Sequence, residues 1–379
     1  MKIGVRVKKD RRQRRFYAGM LLGMAVSLLS GCAYFGPDTV HGNRNPYNIA
    51  IQKTSEEQML LNLVRLKYRD TPFFLEVSSV ATQFTYNAGL AGAFTHGGGK
   101  SNIFEIGPSG EYEENPTVTY SPLQGEQFVK RLLSPISLET LLLLYNSGWS
   151  VERVFEMCAQ RVNEIRNAPR AAGPTPATAP EYKTFKRLTD LMRNLQVKDG
   201  LNIRLEHPSP GAVEHRGSSR IVMRFAAQGD AASESRELQE LLDLSPEVPF
   251  YVVTPNYISG RHDRIGIQTR SLMGVLYYLS QGVKVPPEDI EAGRVTVTRS
   301  ADGEVFDWDQ VTGGILRVRS QAAQPDRAAV SVEYRGHWFY IADSDLTSKT
   351  TFSLLHHLFA LQSGDVQSTQ PVYTLPLGG

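Results

Sequence analysis

The chain has 379 residues, with 41 lysines and arginines against 39 aspartates and glutamates, and two cysteines. That length suits two or three cores at about 150 residues each, and two cysteines exclude a disulfide scaffold or a zinc site built from several of them. Eight of the basic residues lie in positions 1–15; without residues 1–31 the remaining 348 carry 33 basic and 38 acidic side chains, net near −5, which gives no basis for nucleic-acid binding.

The N-terminus has three zones. Lys2, Arg6, Lys8, Lys9, Arg11, Arg12, Arg14 and Arg15 face one acid, Asp10, and a short apolar run, Met20–Leu29, follows. This is the layout of a secretory signal, and the run is shorter than the roughly 20 residues a spanning helix needs. The ending Leu29-Ser30-Gly31-Cys32 resembles the lipobox of bacterial lipoproteins. The resemblance implies cleavage after Gly31, lipid on the Cys32 thiol and acylation of the new amine. Together these give stable anchoring where one chain would not. Ala33 stands where members of that family retained at the inner membrane usually carry aspartate, which implies the outer membrane with the body in the periplasm.

Residues 32–52 are polar, turn-rich and aperiodic, and are expected to be a lipidated tether. A helix should open at Thr54 as N-cap with Glu57 completing a capping box, and Met59, Leu60, Leu63, Val64 and Leu66 form its apolar stripe. From Val80 to Phe94 even positions are mainly apolar (Phe84, Tyr86, Leu90) and odd ones small or polar (Gln83, Thr85, Asn87). HGGGKSN (96–102) makes a turn, and the return strand sets Phe104, Ile106 and Tyr112 against Glu105, Glu111 and Glu113. This period-2 hairpin exceeds both the usual globular strand of about six residues and the roughly 9–11 of a tilted transmembrane strand.

Two readings follow for the hairpin at about 80–113. It covers the protein's own helices or pairs with another subunit. Alternatively it is one subunit's share of an outer-membrane barrel, which requires a ring because two strands cannot close alone. The second architecture is similar to the curli-secretion channel family, whose members are lipoproteins that each lend strands to one barrel, although no motif is shared.

Helices are expected at Gly125–Leu133, Ser137–Tyr145 and from a cap at Ser150 to about Ala168. Residues 168–180, APRAAGPTPATAP, read as a solvated Pro/Ala-rich linker separating residues 53–167 from a mixed domain over 181–379. An amphipathic helix carries Tyr182, Phe185, Leu188, Leu191 and Leu195. Strands are expected at Leu201–Leu205, Arg220–Phe225, Phe250–Val253, Val295–Thr298 and Ile315–Val318, and helices at Arg236–Leu244, Ser271–Ser280 and Leu346–Gln362. A hairpin turns at Arg335-Gly336, with Val330, Val332, Trp338 and Tyr340 available for cross-strand contact, and the tail PVYTLPLG can add an edge strand. The fold class is therefore α+β, with a long N-terminal hairpin and a helical middle.

No motif assigns catalysis or a cofactor. GGGKS (97–101) lacks the first glycine of a phosphate loop, since Phe94 stands there. GWSVE (148–152) and GPSGE (107–111) miss the nucleophile-elbow spacing. His356 and His357, adjacent on a helix, point about 100° apart and cannot share a metal, so one should be buried and one exposed. Asp307-Trp308-Asp309 reads as a turn, Arg261-His262-Asp263-Arg264 as a solvated loop, and Cys158 as a core thiol. The expectation is a non-enzymatic outer-membrane lipoprotein that binds or scaffolds envelope components, including itself. A pore-forming ring subunit is the alternative, and a periplasmic hydrolase the third reading.

Overall fold

The computed structural model describes residues 35–95, 103–207 and 219–363. Backbone contacts divide the chain into two compact units, Met1–Glu56 and Glu57–Gly379. Cys32, the turn at 96–102 and the tail beyond Ser363 lie outside the described residues. The fold is α+β, as the pattern predicts.

The expected tether is helical from residue 35 onward: α1 spans Phe35–Lys67. Thr54 lies inside it and donates its hydroxyl to the Ile51 carbonyl (3.0 Å) instead of capping, the back-bonding available to a hydroxyl within a helix. Gln52 bonds Glu56 one turn on (2.9 Å), an i,i+4 pairing that carries the helix through the expected start. Within the larger unit Met59, Leu60, Leu63, Val64 and Leu66 are buried, as their spacing predicts.

The strands β1 (Leu75–Thr95) and β2 (Ile103–Pro122) form a two-stranded sheet of their own. Short helices α2 (Glu126–Leu133) and α3 (Leu138–Asn146) follow. Ser137 caps α3, accepting from the Thr140 amide. Next comes α4 (Val151–Cys158), where the expected helix to Ala168 stops early. The chain turns instead into β3 (Ala159–Val162) and β4 (Ile165–Arg166). Ser150 holds the N-cap position without a side-chain cap bond; the Gln196 amide oxygen accepts from the Val151 amide in its place (3.0 Å).

The main sheet has six strands in the order β4-β3-β8-β7-β6-β5. It adds β5 (Leu201–Glu206), β6 (Arg220–Phe225), β7 (Tyr251–Thr254) and β8 (Arg264–Thr269). All neighbours are antiparallel except β7 and β8. At Gly266 an added Cβ would meet the Tyr257 backbone at 2.4 Å, so only glycine lets that loop cross β8. Helix α5 (Lys183–Val197) buries Phe185, Leu188, Leu191 and Leu195 as predicted. The remaining helices are α6 (Ala232–Leu241), α7 (Leu272–Ser280), α8 (Pro287–Glu291), α9 (Asp309–Thr312) and α10 (Leu346–Ser363).

A three-stranded sheet, ordered β10-β11-β9, comprises β9 (Arg319–Gln321), β10 (Ala328–Tyr334) and β11 (His337–Ala342). Its hairpin turns at Arg335-Gly336, both with positive φ (52° and 80°), the combination a two-residue I′ turn requires. Val330 and Val332 face Ile341 and Phe339 across the pair, whereas Trp338 lies opposite Glu333 and Tyr340 opposite Ser331. The register thus removes Trp338 and Tyr340 from the expected valine contacts. Val295–Thr298 and Ile315–Val318 make isolated bridges in place of strands, Val283 with Val318 and Arg299 with Val305.

Residues 168–180 are a packed strap and not a solvated linker. Ala168, Ala171 and Thr175 are buried, and Thr175 bonds Gln281 (3.0 Å). The Arg299 amide donates to the Ala177 carbonyl, whose neighbour Ala179 returns a bond to Arg299. Small side chains permit this close approach, which Pro/Ala composition alone disguises as exposure. No boundary falls there; residues 57–379 share one core.

Candidate functional site

The chemical candidates occupy structural roles. Asp307 accepts from the Asp309 amide (3.0 Å) and from Lys284 (3.1 Å), closing its turn. Arg261 grips Asp263 through two 2.8 Å bonds, and exposed His262 contacts the Asp243 carbonyl. His356 is half-buried against Phe352 and His357 is exposed beside Trp149. Among the described residues no group of three metal-ligating side chains converges, and no helix there is long and apolar enough to cross a membrane.

The most deeply buried titratable cluster is Glu156, Cys158 and Arg270. Burial pushes the Cys158 thiol up to about 12, with Arg270 opposing, so it stays protonated and unreactive at neutral pH. Burial also raises Glu156 from its ordinary 4.5 to about 7, against the pull of Lys186 3.7 Å away. Folded protein therefore retains a proton that the unfolded chain releases between those values, and this group's contribution to stability falls as pH rises from about 4.5 to 7. Glu156→Gln is expected to stabilise by about 1–3 kcal/mol at pH 8 and to change little at pH 4. Urea midpoints at the two pH values test this; an equal gain at both would refute it.

Two cavities line the main sheet. One, about 20 Å³ between α3, α4 and the strands, is apolar (Leu141, Phe155, Met223 and neighbours) and is a packing void about one water in size. The other, about 220 Å³, is lined by Arg161, Asn163, Pro255, Asn256, Tyr257, Gly266 and Gln268. Its lining contains no nucleophile paired with a base, the minimum for hydrolysis.

The feature without a structural role inside the body is the long hairpin. Pairing runs from Leu75 opposite Pro122 to Thr95 opposite Ile103, with one register shift between Val77 and Ser79. Residues directly opposite share a face. One face therefore collects Phe84, Tyr86 with Tyr112, Leu90 with Pro108, Gly92 with Ile106, and Phe94 with Phe104. The other collects Gln83 with Asn115, Thr85 with Glu113, Asn87 with Glu111, and Ala93 with Glu105. A one-residue slip exchanges faces, so the bulge at Ser78 has a consequence. It keeps Leu75 and Val77, which lie opposite Pro122 and Tyr120, on the apolar face.

The base of the hairpin is held firmly. Gln58 and Asn62, one turn apart on α1, act as two amide clamps. Asn62 exchanges two 2.9 Å bonds with the backbone of Phe73. Gln58 does the same with Leu75, at 2.9 and 2.5 Å. Between them Phe74 is buried against Phe128 and Phe359, while Phe73, Leu75, Val118 and Tyr120 are exposed. Below the clamps, Tyr68 bonds Asp289, and Asp70 bonds Tyr334 and Arg335. Burial, with Lys284 nearby, lowers the Lys67 ammonium to about 8 beside Gln281. The clamps escape the sequence pattern because amides inside an apolar stripe look like interruptions; two of them four residues apart are the available signal. No protein-family model, curated protein or solved structure matches this chain.

Proposed function

We propose that this chain is a non-enzymatic lipoprotein of the outer membrane, its body in the periplasm, that works by assembling with further copies of itself through the long hairpin. The observation that carries this reading is the pairing: over about twenty residues each strand bonds only to the other, leaving two long outer edges. A two-stranded ribbon is marginal alone, and unpaired edges of this length are templates for another chain. Exposed Val118 and Tyr120 at its base argue against the hairpin covering the protein's own helices.

Native mass spectrometry of the detergent-extracted protein is expected to give one closed oligomer. Replacing Phe84–Glu114 with Asn-Gly, which joins the paired residues Gln83 and Asn115 by a two-residue turn, should give a folded monomer. A full-length monomer, or an oligomer that survives the shortening, would sink the assembly reading. The anchor is tested separately: Cys32→Ser should release most of the protein from membranes, and undiminished membrane fractionation would exclude lipid on Cys32.

A further inference from the structure

Resting on that assembly reading, we infer that the hairpins of several copies close a transmembrane β-barrel, with the apolar face in hydrocarbon and the polar face around a cation-conducting lumen. The first support is register. Two faces that alternate separately in β1 and β2 coincide once the strands pair, and the bulge at Ser78 extends the coincidence to the base of the ribbon. A ribbon packed by one face on its own body needs this segregation only where it touches. Here it runs the full length, past any contact with another sheet.

The second support is length. From Tyr86 to Phe94, and from Phe104 to Tyr112, each strand supplies nine consecutive paired residues, and the apolar face over that stretch carries no charged residue. A tilted strand needs about 9–11 residues to cross the hydrocarbon. The belt is bounded by Tyr86 opposite Tyr112 at one end and Phe94 opposite Phe104 at the other, the places where outer-membrane barrels carry aromatic girdles. Glu114, the apolar face's one acid beyond the bulge, lies outside the belt on the body side.

The third support is the requirement of the bilayer itself. Hydrocarbon offers no partner to a free N–H or C=O, so both outer edges must pair. The partner that fits an outer β2 edge antiparallel is the β1 edge of the next copy. That contact is head-to-tail and generates a ring when it closes. At two strands per copy, the smallest barrels of about eight strands need at least about four copies. The wall then presents Glu105, Glu111 and Glu113 from every copy, and strands 75–95 and 103–122 contain no lysine or arginine. Rings of carboxylates favour cations.

Adjacent residues on opposite faces make the test. Full-length protein in detergent is added to planar phosphatidylethanolamine–phosphatidylglycerol bilayers under a tenfold KCl gradient. Wild type should conduct, with a reversal potential of the sign for potassium over chloride. Leu90→Lys, on the lipid face, should lose at least nine-tenths of the conductance. Ala91→Lys, on the lumen face, should keep conducting and shift the reversal potential toward chloride. A tryptophan unfolding midpoint equal to wild type confirms that each variant's body is folded. Oligomers that never conduct overturn the barrel while leaving assembly intact, whereas absence of oligomers overturns the assembly reading itself. Chloride preference in the wild type, or equal effects of the two lysines, overturns the assignment of faces.

Discussion

Replacing Arg270 with alanine is expected to cost the body about 4–5 kcal/mol, a large part of the roughly 5–15 kcal/mol that holds a typical domain. Arg270 is fully buried. One terminal nitrogen of its guanidinium donates to the carbonyls of Glu156, Met157 and Ala159 (2.8, 3.0 and 3.1 Å), and the other to that of Asn167 (2.8 Å). The group lies 3.9 Å above the Tyr278 ring. Burial lowers it to about 10, so it remains a cation at neutral pH, met by carbonyl dipoles. Asn167 also donates to the carbonyls of Glu156 and Ala159, so alanine would leave the Met157 and Asn167 carbonyls with the greatest loss. Each orphaned buried acceptor costs about 1–3 kcal/mol, and the vacated volume adds a cavity penalty. Arg270→Lys keeps the charge but not the planar fork that spans both carbonyl sets, and should recover less than half of the loss. Urea unfolding followed through Trp149, Trp308 and Trp338 reads both variants. A wild-type midpoint for the alanine variant would show that the carbonyls find other donors.

The same arginine explains why part of the fold is illegible in sequence. Residues 151–162 keep helical spacing, so the pattern alone extends α4 toward Ala168. What ends it is tertiary: Asn163 takes a left-handed conformation (φ 47°), bonding the Leu242 carbonyl and the Gly266 amide. Arg270 holds the carbonyls at the helix end. None of these partners is within seventy residues. Strand β8 is hidden similarly, because Arg261–Arg264 disguises the alternation of Ile265 and Ile267. Elements whose signal is local were legible: the apolar stripes of α5 and α10, and the Arg335-Gly336 turn. The long hairpin belongs with them, since alternation over fifteen residues needs no distant partner. Its register and bulge do not, because they depend on which residue of one strand meets which of the other. The candidate site was thus legible as an element, while the amide clamps and the union of its faces required the pairing.

A fragment from Pro180 to Gly379 is expected to lose cooperative folding altogether, contrary to what the Pro/Ala-rich composition of 168–180 implies. The cut removes β3 and β4, which pair on one side of β8 and leave it the new edge of the main sheet. It removes α3 and α4, whose Leu141, Leu142, Val154 and Phe155 line the void facing Ile203, Ile221, Met223 and Ile267. Stripping a sheet of one covering layer exposes apolar area worth about 25 cal/mol per Å², and burying four large side chains contributes about 1.5–3 kcal/mol each. It also takes every hydrogen-bond acceptor of the Arg270 guanidinium, since Glu156, Met157, Ala159 and Asn167 all precede the cut. A cation left in the core without acceptors costs several kcal/mol more. These losses together exceed typical domain stability. Tryptophan fluorescence of the fragment should change gradually with urea, with ready proteolysis throughout. Mixing it with a second chain covering residues 57–179 should restore a sharp transition, because the severed strap then lies between two halves of one core. A sharp transition for the fragment alone would mean that the main sheet stands without β3, β4 and their helices, and that the domain division at 168–180 is real.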